Sequence, residues 1–506
     1  MAESPFKVII VGGSITGLTL AHCLERAGID YVVLEKHPEV HPQLGASIGI
    51  LPNGARILEQ LGLFKAVEKR SQRFNYVQHC FPDGHHVRSL APKKVTERDV
   101  LYLLHSLIAA CHRARKFVLP FSCLERKEFL EILYTALEDR SRVHAGARVA
   151  KISSNNSGVS ISTVDGTTYH GDLVVGADGV HSTVRSEMWR IAHEENPGLV
   201  SDTEKSRLQA TYSCVFGVST PIPGMTHWDH VVRYNDRFCI LIFPGIGGKV
   251  FWLVISKLDK AYAYPNTPRF THEDAIAKCE SILDLPVWRT IKFRDIWARR
   301  RTFTMTSLEE FLVRTWHYGR VVCIGDSVSK VRSFAHDSFS WISTHIDLDW
   351  TKMTPNMGQG ANTAIESAAS LSNRLRALIL AKHPKKPTGE EIHHMLREFN
   401  RARLPRLVDI HVSSWLVTRL ETADGFAFRM LGRYISLFMG DFFAVGLARA
   451  ASSDVYLDYI PLTVRSGRDW PKVRMSESAT VRRLTLFSPL LVVILMPLFV
   501  SWLLRS

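Results

Sequence analysis

The chain has 506 residues, 46% hydrophobic and 22% charged, a globular balance that excludes a disordered, collagenous or coiled-coil polymer and leaves room for two or three domains. Eight Cys without a CxxC pair exclude a disulfide scaffold and a zinc ribbon. The 63 Lys and Arg against 49 Asp and Glu leave +14, spread along the chain rather than gathered in a nucleic-acid motif, which suits an anionic membrane surface better than nucleic acid.

No secretory signal opens the sequence: the run Val8-Ile9-Ile10-Val11 is too brief for a signal core and reads as a buried strand. A turn, Gly12-x-Ser14-x-x-Gly17, leads into a helix over 18–27 with Gly28 at its end, and a second strand finishes at Glu35. This is a GxGxxG variant in the setting it needs. Gly12 permits the tight turn, the helix N-terminus offers N–H groups to a pyrophosphate, and Gly17 lets helix and strand approach closely. Ser14 replaces the middle glycine. Glu35 stands where an acid accepts adenosine ribose hydroxyls and disfavours a 2′-phosphate.

Helical patterning returns over 53–70 and 125–139, and strand-like runs cover 148–153 and 159–164. The strand Leu173-Val174-Val175-Gly176 then enters an Ala177-Asp178-Gly179 turn and a helix, a second motif in which Asp178 is a candidate cofactor contact. From 207 to 258 the pattern is antiparallel sheet, with Phe238, Phe243, Phe251 and Trp252 suited to line a pocket or fill a core. A last buried strand over 320–324 runs into Gly325-Asp326. Further on, Gly358 and Gly360 open a helix over 361–382, a basic stretch at 382–387 reads as a solvated linker, and a second long helix covers 390–419. A carboxylate at a strand end, Asp326, suits a polyol. A glycine turn opening a helix presents N–H groups to an anionic ring edge. Polyol plus anionic ring describes the ribityl chain and reduced isoalloxazine of a flavin.

Toward the end, 426–450 alternates aromatic residues with Arg429, Arg433 and Asp441, a pattern for an interfacial or substrate-covering helix. The stretch 484–504 carries no charge and, at ~1.5 Å per residue, is long enough for about 30 Å of hydrocarbon. Arg468, Lys472, Arg474, Arg482 and Arg483 precede it and only Arg505 follows, which predicts a single-pass C-terminal anchor with the catalytic body on the cytosolic side and its thiols reduced. The endoplasmic reticulum is the expected membrane.

GGSITG with Glu35, GADGVHSTVR, and GD with PNMGQGAN resemble the aromatic-hydroxylase fold of single-component FAD monooxygenases. GASIGILPNGARILEQLGL, LERKEFLEILY and KMTPNMGQGANTAIE are similar to the fungal FAD-dependent epoxidases of meroterpenoid and indole-diterpene pathways, and the likeness runs from Lys7 to about Pro461. The resemblance implies an α/β Rossmann-like FAD-binding domain over 1–190 and 319–420, an inserted antiparallel substrate domain over 191–318, a helical region over 421–483 and a transmembrane helix over 484–504. It implies FAD contacts at Glu35, Gly49, Arg126, Asp326 and Ala361, and a catalytic aromatic residue at Tyr234. The implied activity is epoxidation of an olefin on a prenylated intermediate through a flavin hydroperoxide, with NAD(P)H and O2 as co-substrates and no metal. A phenol hydroxylase of the same fold, or a membrane-tethered flavoprotein without catalysis, are the alternatives.

Two stretches depart from the family pattern. Residues 99–116 split the segment leading to LERKEF, and 329–351 separate GDS from KMTPN. Retained introns in the gene model account for one or both; genuine surface loops, whose closure cost rises slowly with length, are the other reading. His336, Asp337, His345, Asp347 and Asp349 cluster in the second stretch without the spacing of a metal site.

Overall fold

The computed structural model describes residues 5–41, 45, 47–90, 92–93, 119–201, 209–263, 266–311, 313–328, 358–435 and 450–465. Strand β1 (Lys7–Val11) is buried along nearly its whole length, which is why it reads as an apolar run rather than an alternation. Helix α1 (Ile15–Ala27) follows and ends where Gly28 turns left-handed at φ 70°, and β2 (Asp30–Glu35) returns beside β1. In chain order come β3 (Ser47–Ile50), α2 (Pro52–Gln60), β4 (Ser122–Glu125), α3 (Arg126–Thr135), β5 (Leu173–Gly176) and α4 (Thr183–Glu195). The second unit supplies β6 (Gln209–Ser219), β7 (Val231–Asn235), β8 (Phe238–Pro244), β9 (Val250–Ala263), α5 (His272–Glu280), α6 (Phe293–Trp297) and β10 (Arg300–Glu310). Strand β11 (Val321–Cys323) and the long helices α7 (Gln359–Lys382) and α8 (Gly389–Glu421) rejoin the first.

A six-stranded sheet runs His317–Tyr318, β11, β5, β1, β2, Val143–Ala145. Its four central strands are parallel, and their registers align Val11 with Gly176 and with Leu34, and Gly176 with Cys323. The residues just past Val11, Leu34, Gly176 and Cys323 therefore gather at one edge, the carboxyl edge where open α/β sheets bind ligands. Helix α7 packs along α1 and α2 on this sheet.

A seven-stranded sheet runs β10, β6, β9, β8, β7, Val77–Cys80, His86–Ser89. Its last two strands come from the first 190 residues, and Val77–Cys80 joins β7 in parallel. One face packs Val215, Ile240, Ile242, Trp252 and Val254 against Phe293, Ile296 and Trp297 of the α6 region. The other carries Tyr212, Tyr234, Leu241 and Leu253, with Phe216 and Phe243 reaching Phe251 and Cys123 of β4. Alternation along the strands thus resolves the four aromatics named from sequence. Trp252 and Phe238 belong to the far core, and Phe243 and Phe251 face the nucleotide-type domain.

The helical pattern over 53–70 is interrupted: α2 stops, Gly62 takes φ 79°, and a separate helix spans Phe64–Arg70. A glycine in the left-handed region ends a helix in a way the apolar periodicity does not reveal. The expected linker at 382–387 is less solvated than its composition implies, because Lys386 pairs with the nearly buried Asp172 at 2.9 Å. Of the pattern over 426–450, the structure describes a short helix at Phe426–Met430 and a π-helical turn at Leu431–Ile435, with Phe426 and Tyr434 exposed. Segment 450–465 straps back over α2 and α1, with the Tyr459 hydroxyl on the Cys23 carbonyl at 2.7 Å and Arg465 on Glu59 at 2.7 Å. Among the described residues no helix is long and apolar enough to cross a membrane. The expected span at 484–504, both inserts, and the His336 to Asp349 cluster lie outside the described residues.

Candidate active site

The carboxyl edge of the parallel sheet is built around glycines that cannot be replaced without moving backbone. Gly12 has φ 106°, and a Cβ there would sit 2.4 Å from the Ala177 carbonyl oxygen. A Cβ on Gly17 would lie 1.9 Å from the Gly12 carbonyl oxygen, so α1 approaches β1 as closely as hydrogen allows. Ser14 occupies the N-cap of α1 without capping it by side chain. Its hydroxyl instead accepts from Arg126 Nη2 at 2.9 Å, which leaves the first-turn N–H groups of α1 facing the edge.

Glu35 is buried, with its two carboxylate oxygens accepting from Gly13 N–H at 2.6 Å and His37 N–H at 2.9 Å. A carboxylate oxygen has a second lone pair, so each remains able to accept from a hydroxyl. Arg126 opens α3 half-buried. Burial draws its guanidinium below the ordinary range, and the charges of Asp326 and Glu35 pull it back, which places all three in one electrostatic neighbourhood. Asp326 stands exposed on the turn after β11. That turn is held tight by Gly325 at φ 63°, whose Cβ would lie 2.5 Å from Thr16 Oγ1 on α1.

Asp178, a candidate cofactor contact from the sequence, is engaged within the protein. Its carboxylate accepts from the Ser182 hydroxyl at 2.5 Å, the Val184 N–H at 3.1 Å and the Ser327 hydroxyl at 3.3 Å. Arg185 adds a bond to the Ser327 carbonyl at 2.7 Å. The Ala177-Asp178-Gly179 turn is therefore fastened to the Gly325–Ser327 turn, which helps to fix where Asp326 stands.

The glycine turn at α7 forms the remaining wall. Gly358 is left-handed at φ 62°, and Gly49 of β3 lies against it, its Cβ position 3.6 Å from Gly358 Cα. Gly360 is exposed, with nothing within 4 Å of a Cβ placed on it, and Ala361 is half-buried beside it. Asn362 joins these parts: its amide accepts from Leu51 N–H at 3.0 Å and donates to the carbonyls of Gly49 at 2.9 Å and Gly358 at 2.7 Å. Its neighbour in function is Glu366, fully buried and bound by Asn53, Arg403 and Arg406. Asn53, Asn362 and Glu366 lie inside the stretches that carry the family resemblance, but neither they nor Arg403 were singled out, because what joins them is contact between α2, α7 and α8.

Tyr234 sits on β7, on the sheet face turned toward β4 and α8, stacked on Phe81 at 4.7 Å. Its hydroxyl shares a 3.0 Å hydrogen bond with His79 Nδ1. Burial, reinforced by the negative charge of Glu421, pushes the Tyr234 phenol well above its ordinary range, and burial draws His79 down to about 4. Both are neutral at physiological pH, so Tyr234 is a hydrogen-bonding group and not a base. His79 and Phe81 escaped the sequence reading because they lie on, and just past, the strand Val77–Cys80, which pairs in parallel with β7 and brings His79 to Tyr234 across 155 residues of chain.

The donor set fits an adenine dinucleotide carrying a polyol and a ring: a glycine cradle a Cβ would fill, an uncapped helix start, a buried acid, an exposed acid beside an arginine, and open space over Gly360. Replacing Asp326 with Ala, or Glu35 with Gln, is expected to weaken FAD retention about tenfold or more while leaving the folded chain intact. Flavin-to-protein absorbance ratios after dialysis, with melting temperatures alongside, check this.

A family model described as an FAD binding domain matches residues 5–333. An FAD-dependent monooxygenase of Aspergillus terreus, ctvC, is 48% identical over 468 residues, covering 92% of this chain and 90% of its own. The FAD-dependent monooxygenase aurC of Calcarisporium arbuscula is 47% identical, covering 93% and 89%. Among solved structures, HpxO of Klebsiella pneumoniae with FAD and uric acid superposes with a TM-score of 0.63 at 18% identity over 88% of this chain and 96% of that one. The 2,6-dihydroxypyridine-3-hydroxylase of Arthrobacter nicotinovorans gives 0.57 at 16% identity, over 84% and 95%. At such identities these two show the shared fold.

Proposed function

This chain belongs to the fungal FAD-dependent monooxygenases, on an FAD-binding domain of the aromatic-hydroxylase type, and we propose that it epoxidises an olefin of a prenylated, meroterpenoid or indole-diterpene intermediate in secondary metabolism, with NAD(P)H as reductant. Bound FAD, once reduced and supplied with O2, provides an electrophilic oxygen atom for an electron-rich double bond. Gly12, Ser14 and Gly17 would hold the pyrophosphate, Glu35 the ribose, Arg126 and Asp326 the ribityl region, and Gly49, Gly358, Gly360 and Ala361 the ring.

The observation that carries the reading is the seam between the two units. Phe243 and Phe251 from the sheet meet Phe74 and Cys123 from the FAD domain; Tyr234, His79 and His230 on this face are held neutral, and Lys249, the charged group from the sheet beside it, is paired with Glu125 and Glu128. Oxygen transfer to an olefin needs no protein base and no metal; it needs a dry wall and a fixed approach. Hydroxylation of a phenol would call for a group able to ionise the substrate, and neither Tyr234 nor His79 suits that task. In this reading Tyr234 would instead fix the substrate through a hydroxyl whose direction His79 sets. A C-terminal membrane anchor over 484–504, in the endoplasmic reticulum with the body cytosolic, would bring the enzyme to a greasy substrate.

The test is expression of the full chain with a farnesylated phenol and NADPH, with products separated by mass spectrometry and NMR. One oxygen atom added across a chain double bond is the expected result. Oxygen on the ring, or NADPH oxidation with no oxygenated product, overturns the epoxidase reading.

A further inference from the structure

His230 is a buried side chain that none of these roles uses. It lies immediately before β7, 1% exposed, with its backbone carbonyl accepting from Gln78 N–H at 2.7 Å. Neither Nδ1 nor Nε2 has a hydrogen-bond partner among the described residues. The ring is boxed by Phe74 at 4.8 Å and Phe243 at 6.0 Å between centroids. Alternation along β7 puts residue 230 on the face of Val232 and Tyr234, the face turned to the FAD domain. Phe74 belongs to that domain and packs against its core, while Phe243 belongs to the sheet. The imidazole is thus held at the seam itself, between one aromatic ring from each side.

Nothing in the packing asks for an imidazole there. Phe or Leu would fill an aromatic box without two unpaired polar atoms, and unpaired buried donors and acceptors destabilise the folded state. Burial, with a smaller contribution from His227, draws its pKa down to about 3, so the ring is neutral and offers one N–H donor and one lone pair. A hydroxyl suits either tautomer, since it donates to the bare nitrogen or accepts from the protonated one. An apolar ring suits neither.

We propose that His230 is a substrate-binding residue that hydrogen-bonds a hydroxyl on the ring head of the olefinic substrate, so that the enzyme selects hydroxylated heads and the tail is laid out toward the flavin. This deepens the epoxidase reading and rests on it for the olefin, while the binding preference itself is read without turnover. His79 and Tyr234 satisfy each other and so present a preformed pair; His230 is completed only when the head arrives.

The experiment uses the full chain loaded with oxidised FAD and no reductant, titrated with 2-farnesylphenol and with its deoxy analogue farnesylbenzene, with Kd taken from perturbation of the flavin absorbance. The wild type is expected to bind the phenol about tenfold or more tighter than the hydrocarbon. His230→Phe should erase that preference by weakening the phenol alone, and His230→Gln, which keeps a donor and an acceptor, should restore part of it. Flavin content and melting temperature report folding; if the Phe variant does not load flavin, His230→Leu carries the same comparison. An undiminished preference in the apolar variant, equal binding of both probes by the wild type, or no binding of the phenol each overturns the proposal. A separate turnover arm with the wild type distinguishes the two ideas: absence of epoxide with an intact phenol preference sinks the epoxidase reading alone.

Discussion

Gly17→Ala is expected to yield a protein that purifies without FAD, while Gly360→Ala yields one that folds as the wild type and binds FAD weakly. The two differ by one methyl group each, placed in opposite surroundings. The methyl on Gly17 would meet the Gly12 carbonyl oxygen at 1.9 Å and Ile10 Cγ2 at 3.2 Å. A backbone oxygen cannot rotate away, so α1 must lift from β1 and carry Gly13 and Ser14 with it. Overpacking of this kind costs about 1–3 kcal/mol of stability. The cofactor loses more, because the N–H groups meant for its pyrophosphate and the Ser14–Arg126 bond shift together; a fall of about 100-fold in FAD affinity, or ~2.7 kcal/mol, is expected. At Gly360 the methyl meets nothing within 4 Å. Any affinity lost there comes from the space the cofactor takes, with no change in melting temperature. Fluorescence titration of the apoproteins with FAD measures both. If Gly17→Ala retains wild-type affinity, the glycine cradle is not the pyrophosphate site.

The contrast also shows what the sequence could and could not disclose. Gly12, Gly17 and Glu35 were legible because a βαβ unit compresses its ligand contacts into one short stretch with a turn, a helix start and a strand end in fixed order. Asp326 and Gly358 were legible for the same local reason, each beside a recognisable strand or helix boundary. Asp178 was legible as a motif, but its bond to Ser327 was not, since that forms only once β5 and β11 lie side by side. His79 and Phe81 carried no signal at all. What makes them neighbours of Tyr234 is the parallel pairing of Val77–Cys80 with β7, a contact between distant segments that no periodicity encodes; His230 shares the Tyr234 face by alternation, but its Phe74 neighbour comes from that same distant segment. The same holds for the division of aromatic residues between the two faces of the sheet, which is fixed by register rather than composition.

Arg403→Met is expected to be strongly destabilising. Glu366 is wholly buried on α7, bound by Asn53 Nδ2 at 2.6 Å, Arg403 Nη1 at 2.9 Å and Arg406 Nη2 at 3.2 Å. Removing Arg403 leaves the buried carboxylate with Arg406 as its cationic partner in this cluster, so the cost falls short of the ~3–5 kcal/mol of a fully uncompensated buried charge. The damage reaches the site, because Asn53 also holds Gln359 at 3.2 Å in the first turn of α7, beside Gly358 and Gly360. A lower urea midpoint and weaker FAD retention are therefore expected together. The same cluster sets an acid limit. Burial pushes the Glu366 carboxyl up, but Arg406 and Arg403 outweigh it and hold it at about 2 instead of 4.5. A carboxyl held low in the folded chain contributes stability above its unfolded value and loses it as protons bind. The contribution is thus full above pH 4.5 and disappears as pH falls toward 2. Glu366→Gln lacks this component: the variant starts less stable at neutral pH, and its urea midpoint falls less steeply than the wild type's between pH 5 and 3. Parallel acid slopes in the two proteins would show that the carboxylate is not paired as the structure places it.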